Sequence, residues 1–133
     1  MSASLVCLFG LIGWTILLAF LLIGSRFPSI AGGTFLFQQD GSDLGGFGQR
    51  VTRAQGNSLE WLVIPAALIL YAVATGQTAA TDGLALVCLG CRLGQSIVHI
   101  ASVSFPAVLV RATLFTAQVV IWIIWTLGFS GMM

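Results

Sequence analysis

The chain has 133 residues, 58% hydrophobic and 7% charged, with a formal net charge of +1 and a mean hydropathy of +1.05. Soluble domains carry roughly 25% charged residues, so a water-soluble globule is excluded. A nucleic-acid partner is excluded too, because no basic stripe exists to neutralise phosphates.

The first predicted span covers residues 5–24, an apolar run without a charge. Crossing the hydrocarbon of a bilayer takes roughly 20 residues. A cleaved signal peptide would show a basic start and an apolar stretch of about 7–15 residues. Met1 to Ser4 carry no Lys or Arg and the apolar run is longer, so the segment is expected to stay as a helix. It is expected to stop at Ser25-Arg26-Phe27-Pro28, with Arg26 snorkelling to the interface and Pro28 leading into a loop. Residues 25–49, with six glycines beyond Pro28 and the acids Asp40 and Asp43, read as a flexible connector or lid. Gly45-Gly46-Phe47-Gly48 lacks the spacing and preceding strand of a phosphate-cradling loop.

The second span is predicted over residues 50–75. Its purely apolar part is too short to cross, so the helix must begin among Arg50 to Gln55, which draws Asn57 and Glu60 into the bilayer. Pro65 is tolerated inside a membrane helix. Thr81 or Asp82 is expected to cap a third helix over residues 83–103. Pro106, a favoured first-turn residue, opens a fourth over residues 106–129. Trp122 and Trp125 are expected in an aromatic belt at its far end. The expected fold is all-α: an integral membrane four-helix bundle in one domain, residues 1–133. Arg26, Arg50 and Arg53 flank the first loop, so the positive-inside rule puts that loop in the cytoplasm and both termini on the non-cytoplasmic side.

Charged groups within hydrocarbon are expensive and point to function, with partners to be named. Arg53, Asn57 and Glu60 are spaced i, i+4, i+7 and share one helix face. Arg92, Gln95 and His99 repeat this at i, i+3, i+7, and Arg111 lies a turn and a half into the fourth helix. Glu60 is the one acid well inside the spans, whereas Arg92 and Arg111 stay ionised. One arginine is left over, and such a site attracts an anion, for which arginine forks suit a carboxylate. The structural alternative pairs Glu60 with Arg92 as glue between helices and lets Arg111 snorkel. His99 has no second His or acid cluster beside it, so no metal is expected. Cys88-Leu89-Gly90-Cys91 has the form of a redox motif, but inside an apolar helix it reads as packing by small residues.

Arg53-x-x-x-Asn57-x-x-Glu60 at the start of a second span, Arg92 in the third and Arg111 early in the fourth resemble the MAPEG family, the membrane-associated proteins in eicosanoid and glutathione metabolism. The resemblance, to a divergent bacterial-type member, implies a homotrimer in the bacterial inner membrane with glutathione as co-substrate between neighbouring subunits. It assigns Arg26, Arg53, Asn57, Glu60 and Arg92 to the tripeptide, with Gln95 and His99 at the two following contact positions. Arg111 matches the arginine beside the glutathione sulfur, where a guanidinium favours the thiolate. The implied activity is a transferase or peroxidase acting on a lipophilic electrophile or hydroperoxide from the lipid side. Gln95 and His99 stand where the family has His or Tyr and then Tyr, Ala112 where some members have Ser, Phe115 at a common Tyr, and Gly56 at a frequent basic residue. These departures support an alternative, a non-catalytic subunit of this fold binding a lipid, a quinone or a partner protein. A small multidrug exporter ranks behind both: its glutamate would lie in the first span, and two intramembrane arginines repel cations.

Overall fold

The computed structural model describes residues 1–33 and 38–133. The centre of the expected connector, residues 34–37, therefore lies outside the described residues. Four helices follow one another: α1 Ala3–Ala31, α2 Gly46–Ala74, α3 Ala79–Ala101 and α4 Phe105–Ser130. Each is long and apolar enough to cross a membrane. The 29 residues of α1 and of α2 span about 43 Å at 1.5 Å per residue, more than the roughly 30 Å hydrocarbon layer. Both helices therefore project beyond the layer.

Three boundaries differ from the sequence expectation. Helix α1 does not stop at Gly24 but runs through Pro28 to Ala31, where the Gly32 N–H bonds back to the carbonyls of Ile30 and Pro28. Proline lacks an N–H but has a helical φ, and in the last turn of α1 it removes only its own bond to the Gly24 carbonyl. Helix α2 begins at Gly46, four residues before Arg50. Helix α3 begins at Ala79 on Thr78, whose side chain makes no cap bond. Asp82 caps nothing; its Oδ1 accepts from the Ser4 N–H at 2.8 Å and the Ser4 hydroxyl at 2.6 Å. Ser4 Oγ also lies 2.5 Å from Thr81 Oγ1, so the start of α1 is tied to the start of α3.

Helix α3 packs against α1, α2 and α4, while α1 and α4 do not pack on each other and α2 meets α4 only along a narrow seam. At Gly10 α1 comes so near α3 that a Cβ would lie 2.7 Å from Leu89 Cδ2. The apolar core, centred on Cys7, Leu11, Ile69, Cys88, Ile121 and Trp125, fills the end of the bundle where α1 begins and α4 ends. Trp122 and Trp125 are 4% and 2% exposed, so they belong to this core and not to an aromatic belt. Their faces follow Gln118 and Ile121 around α4 onto α3. Phe9, Phe20, Leu70, Leu86 and Ile123 point outward, as a lipid environment permits.

At the opposite end the helices are held by polar contacts. Arg50 Nε donates to the Ile100 carbonyl at 2.6 Å, satisfying a free acceptor at the end of α3. Ser104 caps α4 by accepting from the Ala107 N–H at 3.4 Å. All five arginines and three of the four acids lie toward this end, with Asp82 alone at the other.

Candidate functional site

At the arginine-rich end a cavity of about 670 Å³ opens between α2, the last turn of α3 and the first turns of α4. Small-molecule sites run from about 300 to 1,000 Å³, so the space suits a ligand of peptide or cofactor size. The i, i+4, i+7 face of α2 supplies Arg53, Asn57 and Glu60, α3 supplies His99, and α4 supplies Val108 and Arg111. Arg26, Arg92 and Gln95 do not line it. Arg26 projects from the extended part of α1 and donates from Nη2 to the Gln38 carbonyl at 3.2 Å.

Arg92 lies behind the cavity, 2% exposed, and donates from Nη1 to Asn57 Oδ1 at 2.8 Å. Gln95 Nε2 donates to the same oxygen at 3.3 Å. Gln118 Nε2, from α4, donates to Gln95 Oε1 at 2.9 Å. The alternative Glu60–Arg92 pair is absent: no ion pair involves Glu60 among the described residues, and its side chain is exposed. The reason is rotational. Helix α2 turns the Asn57 oxygen toward Arg92 on α3, and Glu60, three residues on, lines the cavity without pairing with Arg92. A neutral carbonyl oxygen thus serves the buried guanidinium, and Arg92 Nη2 has no hydrogen-bond partner among the described residues.

Arg111 lines two cavities. The second, about 270 Å³, is bounded by Asn57, Trp61, Gln95, Val108, Arg111, Ala112 and Phe115. Trp61 and Phe115 meet edge to face there, ring centroids 5.1 Å apart. Asn57, Val108 and Arg111 are common to both spaces, so they stand where a polar cleft meets an aromatic one. Arg111 Nε is buried without a hydrogen-bond partner among the described residues.

Sequence reasoning missed Gln39, Asp40, Thr52 and Val108. Asp40 enters the cavity because its loop lies against α2 at Gly41. Gly41 has φ +74°, and a Cβ there would fall 2.7 Å from Thr52 Oγ1, so only glycine fits. The Asp40-Gly41 dipeptide marks a turn in the sequence, but nothing local says which helix the turn rests on. The Ser42 backbone N–H, donating to Asp40 Oδ1 at 3.0 Å, holds the Asp40 carboxyl below its ordinary value, with the Ser42 side chain and the nearby Arg53 adding to the effect. The cavity's charges are therefore Arg53 and Arg111 against Asp40 and Glu60. The surplus of arginine inferred from the spans is balanced once the loop acid is included.

This arrangement, on four apolar helices, has a counterpart among known proteins. The MAPEG family model matches residues 4–129. The chain belongs to the MAPEG family. No curated protein and no solved structure matches it. With four spanning helices this MAPEG member is an integral membrane protein. The MAPEG family includes glutathione transferases and peroxidases as well as non-catalytic members.

Proposed function

We propose that this MAPEG protein is a glutathione-dependent transferase or peroxidase acting on lipophilic electrophiles at the membrane. The observation that carries the reading is the position of Arg111 on the wall shared by a polar cavity and an aromatic one. A sulfur held there by a polar tripeptide in the larger space lies beside the guanidinium and next to a compartment suited to an apolar acceptor. Glutathione carries two carboxylates and one ammonium, and the cavity offers two guanidiniums and two carboxylates. Arg53 is proposed to take a carboxylate and Glu60 or Asp40 the ammonium. Asn57 and His99 add neutral polar contacts. Arg92 and Gln95 act from behind by holding Asn57, and Arg26 reaches glutathione only from a neighbouring subunit.

Arg111 is proposed to favour the thiolate over the thiol by its charge, so that the sulfur forms a bond to the electrophile as the leaving group departs. The reading includes a homotrimer, which would cover Arg53 and Glu60, both exposed on a membrane helix in the single chain. It also includes a cytoplasmic first loop and a bacterial inner-membrane location.

Calorimetry of the detergent-solubilised protein with glutathione, together with conjugation of 1-chloro-2,4-dinitrobenzene, tests this. Saturable binding and turnover are expected. No affinity for glutathione, with a co-purifying lipid, quinone or partner protein, would establish the non-catalytic alternative instead.

A further inference from the structure

The hydrogen bonds behind the cavity run in one direction, and their direction is fixed at both ends. A guanidinium only donates, so the Asn57 atom facing Arg92 must be its oxygen. A backbone carbonyl only accepts, so the Gln118 atom 3.0 Å from the Leu114 carbonyl must be Nε2. That same nitrogen donates its second hydrogen to Gln95 Oε1, which leaves Gln95 Nε2 to donate to Asn57 Oδ1. Argument from either end gives the same amide orientations. Asn57 Oδ1 then has both lone pairs filled. Its Nδ2 makes no hydrogen bond to any described residue, and Asn57 lines both cavities.

We infer that Gln118 is a positioning residue: through Gln95 it locks Asn57 with its N–H pair turned to the cavity, so that this wall donates to a carboxylate or carbonyl oxygen of the ligand. Gln118 is itself fully buried and touches neither cavity. Both hydrogens of Gln118 are used to orient the chain of amides, and its buried Oε1 has no partner among the described residues. Arg92 sets which Asn57 atom faces it, and Gln118 adds the second donor: without it Gln95 is free to turn and one lone pair of Asn57 is left open.

The inference uses the glutathione reading only for its binding assay; a second measurement is independent of any ligand. In the ¹⁵N-labelled full chain in lipid nanodiscs, the side-chain amides of Gln95 and Gln118 should exchange slowly with water and that of Asn57 quickly. Gln118→Met, close in shape but without donors, should release the Gln95 amide to fast exchange. Should that variant fail to fold, Gln95→Met takes its place, and the orientation of Asn57 is then read from the loss of glutathione affinity. Gln118→Met should weaken glutathione binding about 3- to 10-fold, the usual size of one lost hydrogen bond. Asn57→Asp, which keeps a partner for Arg92 but removes the N–H pair, should weaken it as well. Adding Gln118→Met to Asn57→Asp should then change nothing further. Additive losses, wild-type affinity in Gln118→Met, or a protected Asn57 amide beside fast-exchanging glutamines would overturn the relay. Failure of the wild type to bind glutathione would count against the proposed activity alone, and the exchange measurement would still decide the relay.

Discussion

Arg92 donates to Asn57, at 2.8 Å, although a carboxylate lies one helical turn away at Glu60. The helices are therefore joined by a neutral oxygen and a cation, which leaves Glu60 and the cavity arginines available to a ligand. Losing the partner of a buried charged group costs about 3–5 kcal/mol at the high end, whereas an exposed carboxylate with no ion pair contributes little to stability. Asn57→Leu should thus lower the midpoint of unfolding in micelles strongly, and Glu60→Gln should leave it unchanged. Destabilisation by Glu60→Gln, with Asn57→Leu close to the wild type, would mean that Glu60, not Asn57, serves Arg92.

The Ser4–Asp82 clamp holds the other end. Ser4 is fully buried and gives two hydrogens to one carboxylate oxygen, its N–H at 2.8 Å and its hydroxyl at 2.6 Å. Ser4→Ala should lower the midpoint of denaturant titration of the micellar protein and leave glutathione affinity as it is. A change in affinity without a change in stability would contradict the separation of the two ends.

The docked loop makes its own prediction. Gly41→Ala places a Cβ against Thr52 in a backbone conformation that alanine disfavours, so the loop should detach and take Asp40 from the cavity. Gly41→Ala and Asp40→Asn should each weaken binding of glutathione, but neither should weaken binding of an analogue lacking the ammonium. The Asp40 carboxyl lies below its ordinary value of 3.8, so its contribution is present above that value and is lost only as pH falls through the lower one. Binding measured from about pH 5 to about pH 8 should show no inflection that Asp40→Asn removes. An inflection in that range abolished by Asp40→Asn would contradict the hydrogen bond from Ser42.

The four helices were legible because apolar runs of spanning length have few other fates. The faces of α2 and α3 were legible as well, since a period of 3.6 residues fixes which side chains share a side. What stood opposite each face was not. Whether Arg92 meets Asn57 or Glu60 depends on how far α2 is rotated against α3, and both residues satisfy the same periodicity. Trp122 and Trp125 suit a lipid headgroup or a core by composition, and only the packing of α4 on α3 decides. Pro28 is a local signal that the helix overrode. Asp40 was invisible as a cavity residue because the contact that carries it, Gly41 on Thr52, joins a loop to a helix. Gln118 shares the Arg111 face of α4 by its i+7 spacing, but its bond to Gln95 crosses between helices, which periodicity does not show.

Arg111 is proposed to act on the sulfur of bound glutathione. Kinetics and calorimetry on Arg111→Ala beside the wild type test it most directly. Removing a group that acts chiefly in the transition state costs about 10²–10³ in kcat. The conjugation rate at saturating glutathione should fall by about that factor while the glutathione Kd rises only a few-fold. Wild-type turnover in Arg111→Ala, or a rate loss fully explained by weaker binding, would contradict the account.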